Sequence, residues 1–368
     1  MTFRNKCFIA AQTLGAAFIV AILVVACGGG GTSGFAQSYT ASAGAGDVMQ
    51  FSIDTANMTY SFKVVETSYA ASGVSPTESS AGTLAGRNAI GSYYLSRSAD
   101  GFVLGGEVYP LQNGMFVGHV LIPKIGGAIV KIPVFGVPNP ITTVANLAAT
   151  YNYQGFACNF RSGGNVTAGA YGCTSHTGTI QITDTGAFTT CRGDNLGGTT
   201  TPVCTLPGGG TAASTFTGTI IPTATPGVFD FRTSDGYHRG WFFAFSTGGQ
   251  NVAVIDHDDY NTPEIFGFGH TVAVSQTSVS PGQIDGKYFV KNDLGQRHLI
   301  TVSGLSFSDT YFPNSTGTLL YNQPWTGLVS YQMNWTVPDS GVADIATAGA
   351  FTYNSHNYPY LFGVGLKY

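Results

Sequence analysis

The most concentrated set of side chains able to do chemistry is Asp256-His257-Asp258-Asp259, in a chain where Asp, Glu, Lys and Arg together make up only 9% of residues. On an extended segment Asp256 and Asp258 point the same way. Two carboxylates on one face are a donor set suited to a hard cation, so Ca²⁺ is the one cofactor this stretch suggests. Glu264 and His270 follow closely and would add ligands. The spacing lacks the EF-hand pattern and its invariant glycine. A plainer reading therefore stands beside the metal site: a solvated turn after the apolar run Val252–Ile255, its charges discouraging edge pairing.

No other motif carries a reaction. His119, His176, His238, His298 and His356 lie far apart, and none has the His-x-x-x-His or His-Glu-x-x-His spacing of zinc enzymes. There is no Gly-x-Ser-x-Gly elbow and no phosphate-binding glycine loop. Glu66, Glu78, Glu107 and Glu264 are the only glutamates, and nothing in their spacing selects a glycosidase pair. The reading is of a protein that is not an enzyme. Aromatic residues reach 13%, which fits a large β core better than a sugar-stacking surface.

Six cysteines are present. Cys158, Cys173, Cys191 and Cys204 cluster in one region and read as two disulfides of an exported chain. Their spacings of 15, 18 and 13 contain no C-x-x-C pair, which argues against zinc. The pairing Cys158–Cys173 and Cys191–Cys204 is favoured because each closes a short loop.

The N-terminus explains why the chain would be exported. Arg4 and Lys6 precede an apolar run from Leu14 to Ala26, 13 residues long. That suits a signal peptide and falls short of the roughly 20 residues of a spanning helix. The run ends at Val24-Val25-Ala26-Cys27, which resembles the lipobox of bacterial lipoproteins, where the cysteine thiol is acylated and becomes the new N-terminus. Gly28 to Gly31 and Thr32-Ser33-Gly34 then read as a flexible tether. By resemblance to Gram-negative lipoprotein sorting, Gly28 in place of Asp favours the outer membrane. The chain resembles Gly-rich lipoproteins of Gram-negative proteobacteria. The resemblance is specific over residues 1–31, and it implies an address and an anchor but no active site.

The elements that position these residues read as strands and turns. Met58, Tyr60, Phe62 and Val64 alternate with Thr59, Ser61 and Lys63, and the turn Asp54–Asn57 makes residues 49–65 a hairpin. Ile180 and Ile182, Trp241, Phe243 and Phe245, and Tyr331, Met333 and Trp335 repeat the pattern. Residues 141–149 suit one short helix. Four segments share a small-Gly-Thr-aliphatic pattern, at Ala81–Leu84, Thr177–Ile180, Thr217–Ile220 and Thr316–Leu319. Their uneven spacing reads as a habit of Thr- and Gly-rich strands rather than as a duplication.

The expected fold is all-β, an antiparallel sandwich or filled barrel of one or two units. Residues 1–26 are the signal peptide and 27–47 the lipidated tether. Residues 48–280 are a β domain with both disulfides, and 281–368 are a C-terminal β unit, separate or continuous with it. A rival reading comes from Tyr360, Phe362, Val364, Leu366 and Tyr368, whose alternation resembles the terminal strand of membrane-embedded barrels. A net charge of −4 with basic residues scattered singly excludes nucleic acid as a partner. The expected function is a binding or structural role in the cell envelope, held to the membrane by the lipid on Cys27. An anchored hydrolase is the other class left open.

Overall fold

The computed structural model describes residues 34–367, apart from 43, 45, 69–78, 88–90, 102, 111–113, 124–128, 162–173, 195–214, 258–264, 293–295, 312–314, 324, 335–337, 347–348 and 356–361. Its strands close into three successive antiparallel barrels of eight strands each. The first barrel holds β1 (Ala36–Ser42), β2 (Asp47–Asp54), β3 (Thr59–Thr67), β4 (Ser79–Arg87), β5 (Tyr93–Leu95), β6 (Gly105–Pro110), β7 (Phe116–Pro123) and β8 (Ile129–Val137). The second holds β9 (Ala149–Arg161), β10 (Thr174–Ile182), β11 (Ala187–Asp194), β12 (Thr215–Pro222), β13 (Phe229–Thr233), β14 (His238–Thr247), β15 (Gln250–His257) and β16 (Ile265–Ser275). The third holds β17 (Gly286–Asn292), β18 (Arg297–Ser303), β19 (Ser306–Asp309), β20 (Ser315–Tyr321), β21 (Leu328–Asn334), β22 (Asp339–Ile345), β23 (Ala350–Ser355) and β24 (Phe362–Lys367). Each barrel closes where its first strand pairs with its eighth: β1 with β8, β9 with β16, and β17 with β24.

The all-β class is therefore realised as filled barrels, three rather than one or two. The expected hairpin at 49–65 is β2–β3, and the expected short helix is one 3₁₀ turn at Val144–Leu147. The segment 276–283 lies between β16 and β17, where the second barrel ends and the third begins. One boundary needs correction. Residues 36–42 are β1, a closing strand of the first barrel, so the tether cannot extend to residue 47. Glycine-rich sequence before Gly34 hid the start of a strand whose alternating Tyr39 and Ala41 are too few to stand out.

Alternation puts one face of each strand inside its own barrel. Phe51, Tyr60, Phe62 and Phe116 fill the first barrel; Tyr151, Phe188, Phe231 and Phe242 the second; Tyr288, Tyr331, Phe351 and Tyr353 the third. Strands that face another barrel are apolar on the outer side too. Phe135, Val137, Phe243, Phe245, Val252, Val254, Val272, Val274, Phe289, Phe362, Val364 and Leu366 share a fourth core, built from the outer faces of all three barrels. This explains the continuous run Val252-Ala253-Val254-Ile255: Ala253 and Ile255 point into the barrel while Val252 and Val254 point into the shared core. It also explains the C-terminal alternation. Phe362, Val364 and Leu366 do point outward, and the core shared with the other barrels covers them.

The small-Gly-Thr-aliphatic echo takes on structural meaning here. Three of its four copies are the fourth strands of the three barrels, β4, β12 and β20. In each, the glycine lies directly across from an aromatic residue on strand three: Gly82 from Tyr60, Gly218 from Phe188, Gly317 from Phe307. A Cβ on any of these glycines would sit within 2.5 Å of a ring atom. The aromatic ring folds flat over its neighbour only because that neighbour has no side chain. Strand one repeats as well, with a buried tyrosine at Tyr39, Tyr151 and Tyr288. Tyr151 donates to the Leu147 carbonyl (2.6 Å) and Tyr288 to the Ile284 carbonyl (2.5 Å), four residues earlier in both cases. The equivalence is thus a true threefold repeat, which uneven loop lengths concealed in the spacing.

Candidate functional site

The second barrel is filled over only part of its length. Leu147, Tyr151, Ile182, Ile220, Phe229, Phe242 and Ala253 pack the end where its hairpins turn tightly. The other end holds a cavity of about 530 Å³, within the roughly 300–1,000 Å³ typical of small-molecule sites. Tyr153, Ile180, Phe231 and Ile255 make its apolar floor, and Phe216 one side. His176, His257 and Thr271 form a polar wall. His176 Nε2 lies 2.8 Å and His257 Nε2 2.6 Å from the Thr271 hydroxyl, so two imidazoles share one oxygen. A hydroxyl has a single hydrogen to donate, so at least one of the two rings must donate its Nε2–H to Thr271. Arg239 and Asp235, from the β13–β14 hairpin, are the charged residues of the lining.

Sequence reasoning passed over these residues because they come from strands all around the barrel and one turn. A signal existed for His176. It extends the alternation of Ile180 and Ile182 through Gly178, which assigns it to the barrel interior. His257 belonged to the acidic cluster but faces away from Asp256, as neighbours on a strand must.

Asp256 itself faces the first barrel and is fully buried. Its Oδ2 accepts a hydrogen bond from the Ser42 hydroxyl (2.8 Å) and its Oδ1 from the Gly46 backbone N–H (2.7 Å). Both oxygens are thus engaged by the neighbouring barrel. That commits Asp256 to the contact between barrels rather than to Ca²⁺, and among the described residues no three metal-ligating side chains gather. Asp258 and Glu264 lie outside the described residues. His270, across the strand pair from Asp256, places Nδ1 3.1 Å from the same Ser42 hydroxyl. Phe135 of the first barrel and Phe362 of the third flank its ring. Burial, with a smaller push from His257, lowers His270 to about 3, so it is neutral. Ser, His and Asp meet here, but in the wrong order for nucleophilic catalysis. The hydroxyl donates to the carboxylate, not to the imidazole, and all three are sealed from solvent.

Polar pairs also join the other barrels. Lys291 on β17 reaches Glu107 on β6 at 2.6 Å, with both side chains buried. Burial, the largest influence, pushes the Glu107 carboxyl up, yet Lys291, Ser92 and Arg297 together hold it below the usual carboxylate range. Between the second and third barrels, Thr352 donates to Gln154 (2.9 Å) and Asn354 to the His176 carbonyl (2.7 Å). Asp344, the cross-strand neighbour of Thr352, is buried there, and its Oδ2 has no hydrogen-bond partner among the described residues. Burial raises its carboxyl well above the ordinary range.

Because the folded value lies above the unfolded one, Asp344 favours folding fully only below the unfolded carboxylate range. That contribution is lost as pH rises toward the folded value, at up to about 1.4 kcal/mol per pH unit. Asp344→Asn is expected to remove this slope. Urea midpoints of the two proteins should diverge as pH rises from 5, with wild type the less stable at the higher pH. Parallel curves would show that Asp344 is not protonated in the fold.

Of the cysteines, Cys191 on β11 is fully buried. Cys158 lies on β9, but its side chain, like Cys173, Cys204 and Cys27, falls outside the described residues. Comparison of the chain with known proteins gives no matching family model and no matching curated sequence.

Proposed function

We propose that this protein is an exported lipoprotein, anchored by Cys27 to the outer membrane, whose second barrel binds a small molecule. The observation that carries the binding role is the cavity of about 530 Å³, with an apolar floor and a few convergent polar groups. The anchor is supported by the lipobox Val24–Cys27 behind the apolar run of residues 14–26. Several acyl chains on that cysteine hold a protein far more firmly than one. A binding role is favoured by the cavity. The buried Ser42-His270-Asp256 cluster is misordered for hydrolysis. Ser68, His238 and Asp230 are linked in triad order at 3.3 and 2.7 Å and keep the hydrolase as the second reading. An embedded barrel is disfavoured because the outward apolar residues of β24 lie in the shared core and not on a lipid-facing surface.

The four cysteines fit this reading. Cys158 is near the end of β9, Cys173 immediately precedes β10, Cys191 is near the end of β11, and Cys204 lies between β11 and β12. Cys158 and Cys191 thus lie on strands that run toward the cavity end of the second barrel, and Cys173 and Cys204 fall in the chain segments that follow those strands. Two disulfides there, each closing a loop of about 15 residues, would contribute about 3 kcal/mol apiece in the chain-entropy model.

The anchor is tested by Cys27→Ser. The variant should incorporate no radiolabelled palmitate and should accumulate as precursor or appear in the soluble envelope fraction. Undiminished labelling would show that another residue carries the lipid.

A further inference from the structure

We infer that the cavity of the second barrel takes an aromatic monocarboxylate, its ring over the apolar floor and its carboxylate on Arg239. This rests on reading the cavity as a ligand site and adds the chemistry of the ligand. The floor residues Tyr153 and Phe231, with Phe216 at the side, present aromatic surface to whatever enters, and rings pack well on rings. On the polar wall, the Nε2 atoms of both imidazoles are already engaged by Thr271. Arg239 is different. Its Nε donates to the Thr233 hydroxyl at 3.3 Å, which orients the guanidinium, and its plane lies 5.7 Å from the Tyr237 ring centre. Its Nη1 and Nη2 donate no close hydrogen bond among the described residues, and Nη2 makes one long, half-exposed ion pair with Asp235 Oδ2 at 3.5 Å. Nearby Arg232 makes the contrast: it spends Nε and Nη2 on Asp230 and Nη1 on the Gly236 carbonyl.

An oriented guanidinium with unspent paired donors is the standard partner of a planar carboxylate, which it grips through two parallel hydrogen bonds. Asp235 sets the charge limit. Its Oδ1 accepts from the Thr233 hydroxyl (2.5 Å) and the Tyr237 N–H (3.2 Å), and these two bonds, in that order, hold its carboxyl below the usual range. It therefore stays ionised beside Arg239. A ligand with two negative charges would meet that carboxylate, whereas one with a single negative charge gains the arginine at smaller cost.

The test uses the full lipidated chain in phospholipid nanodiscs, with empty discs subtracted. Titration calorimetry compares 2-naphthoate with 2-naphthylmethanol, which has the same ring system and no charge. The acid should bind at least about tenfold more tightly. Arg239→Gln should bring the acid down to the level of the alcohol and leave the alcohol unchanged. Ile255→Trp, which fills the floor, should weaken both. Equal affinities in wild type, or an Arg239→Gln chain that still prefers the acid, would overturn the carboxylate assignment and leave the cavity standing as a site. Failure of both probes to bind wild type would remove the cavity reading and this inference together.

Discussion

A chain that begins at residue 48 should fail to fold its first barrel, while one that begins at Gly34 should fold cooperatively. The strand removed, β1, closes the barrel by pairing with β2 over seven residues and with β8 over three. Its loss leaves two open sheet edges. Tyr39 and Ala41 leave the barrel interior with it. Fully burying a large apolar side chain is worth about 1.5–3 kcal/mol. The damage extends to the second barrel. Ser42 and Gly46 both donate to Asp256, and without them a fully buried carboxylate loses these two hydrogen bonds. Stranding a buried charge costs about 3–5 kcal/mol. Together these losses rival the whole stability of an ordinary domain, about 5–15 kcal/mol. Limited proteolysis followed by peptide mapping would show it: cuts should spread through residues 48–137 in the shorter chain and stay out of the strands in the longer one. Equal protection of both chains would mean that β1 is dispensable.

Lys291→Met should destabilise the protein by about 3–5 kcal/mol, and adding Glu107→Leu should recover most of that loss. Lys291 and Glu107 are 184 positions apart and join the third barrel to the first through one buried contact of 2.6 Å. Removing the lysine alone leaves a carboxylate in an apolar interface with Ser92 as its nearest donor, at 2.5 Å, and Arg297 at 3.6 Å. Removing both charges leaves an interface that Tyr109 and Phe289 already line with tilted rings 4.9 Å apart. The sign of the recovery separates two roles. If the double variant regains stability, the pair serves to align the barrels more than to hold them. Guanidinium denaturation of the two single variants and the double variant gives the coupling directly. A double variant no better than Lys291→Met would show that the ion pair itself holds the interface.

Local patterning made the strands legible. The hairpin around Asp54–Asn57 was readable because four alternating apolar residues, a turn and a second short run lie within seventeen positions, and hairpin register depends on neighbours. The all-β class followed from many such runs. The number of barrels did not, because closure is a pairing of first with eighth strand, at separations of about 70 to 125 residues. Trp241, Phe243 and Phe245 share a face, as their period demands, but alternation says only that there are two faces. Whether one lies inside a barrel or against another barrel depends on where the chain returns. Here Phe243 and Phe245 face the shared core, while Phe242 and Ala244 at the alternate positions face the interior.

Asp256 shows the same limit for chemistry. Its neighbours in the chain, His257, Asp258 and Asp259, suggested a cation. Its neighbours in space are Ser42 and Gly46, more than two hundred positions away, and these set its role. His176, His257 and Thr271 meet only because β10, β15 and β16 are bent into one wall. Propensity and period act over a few residues, and they specified the elements and their apolar faces. Closure, the shared core and the cavity depend on which distant faces exclude water together, and that requires the whole chain to be folded.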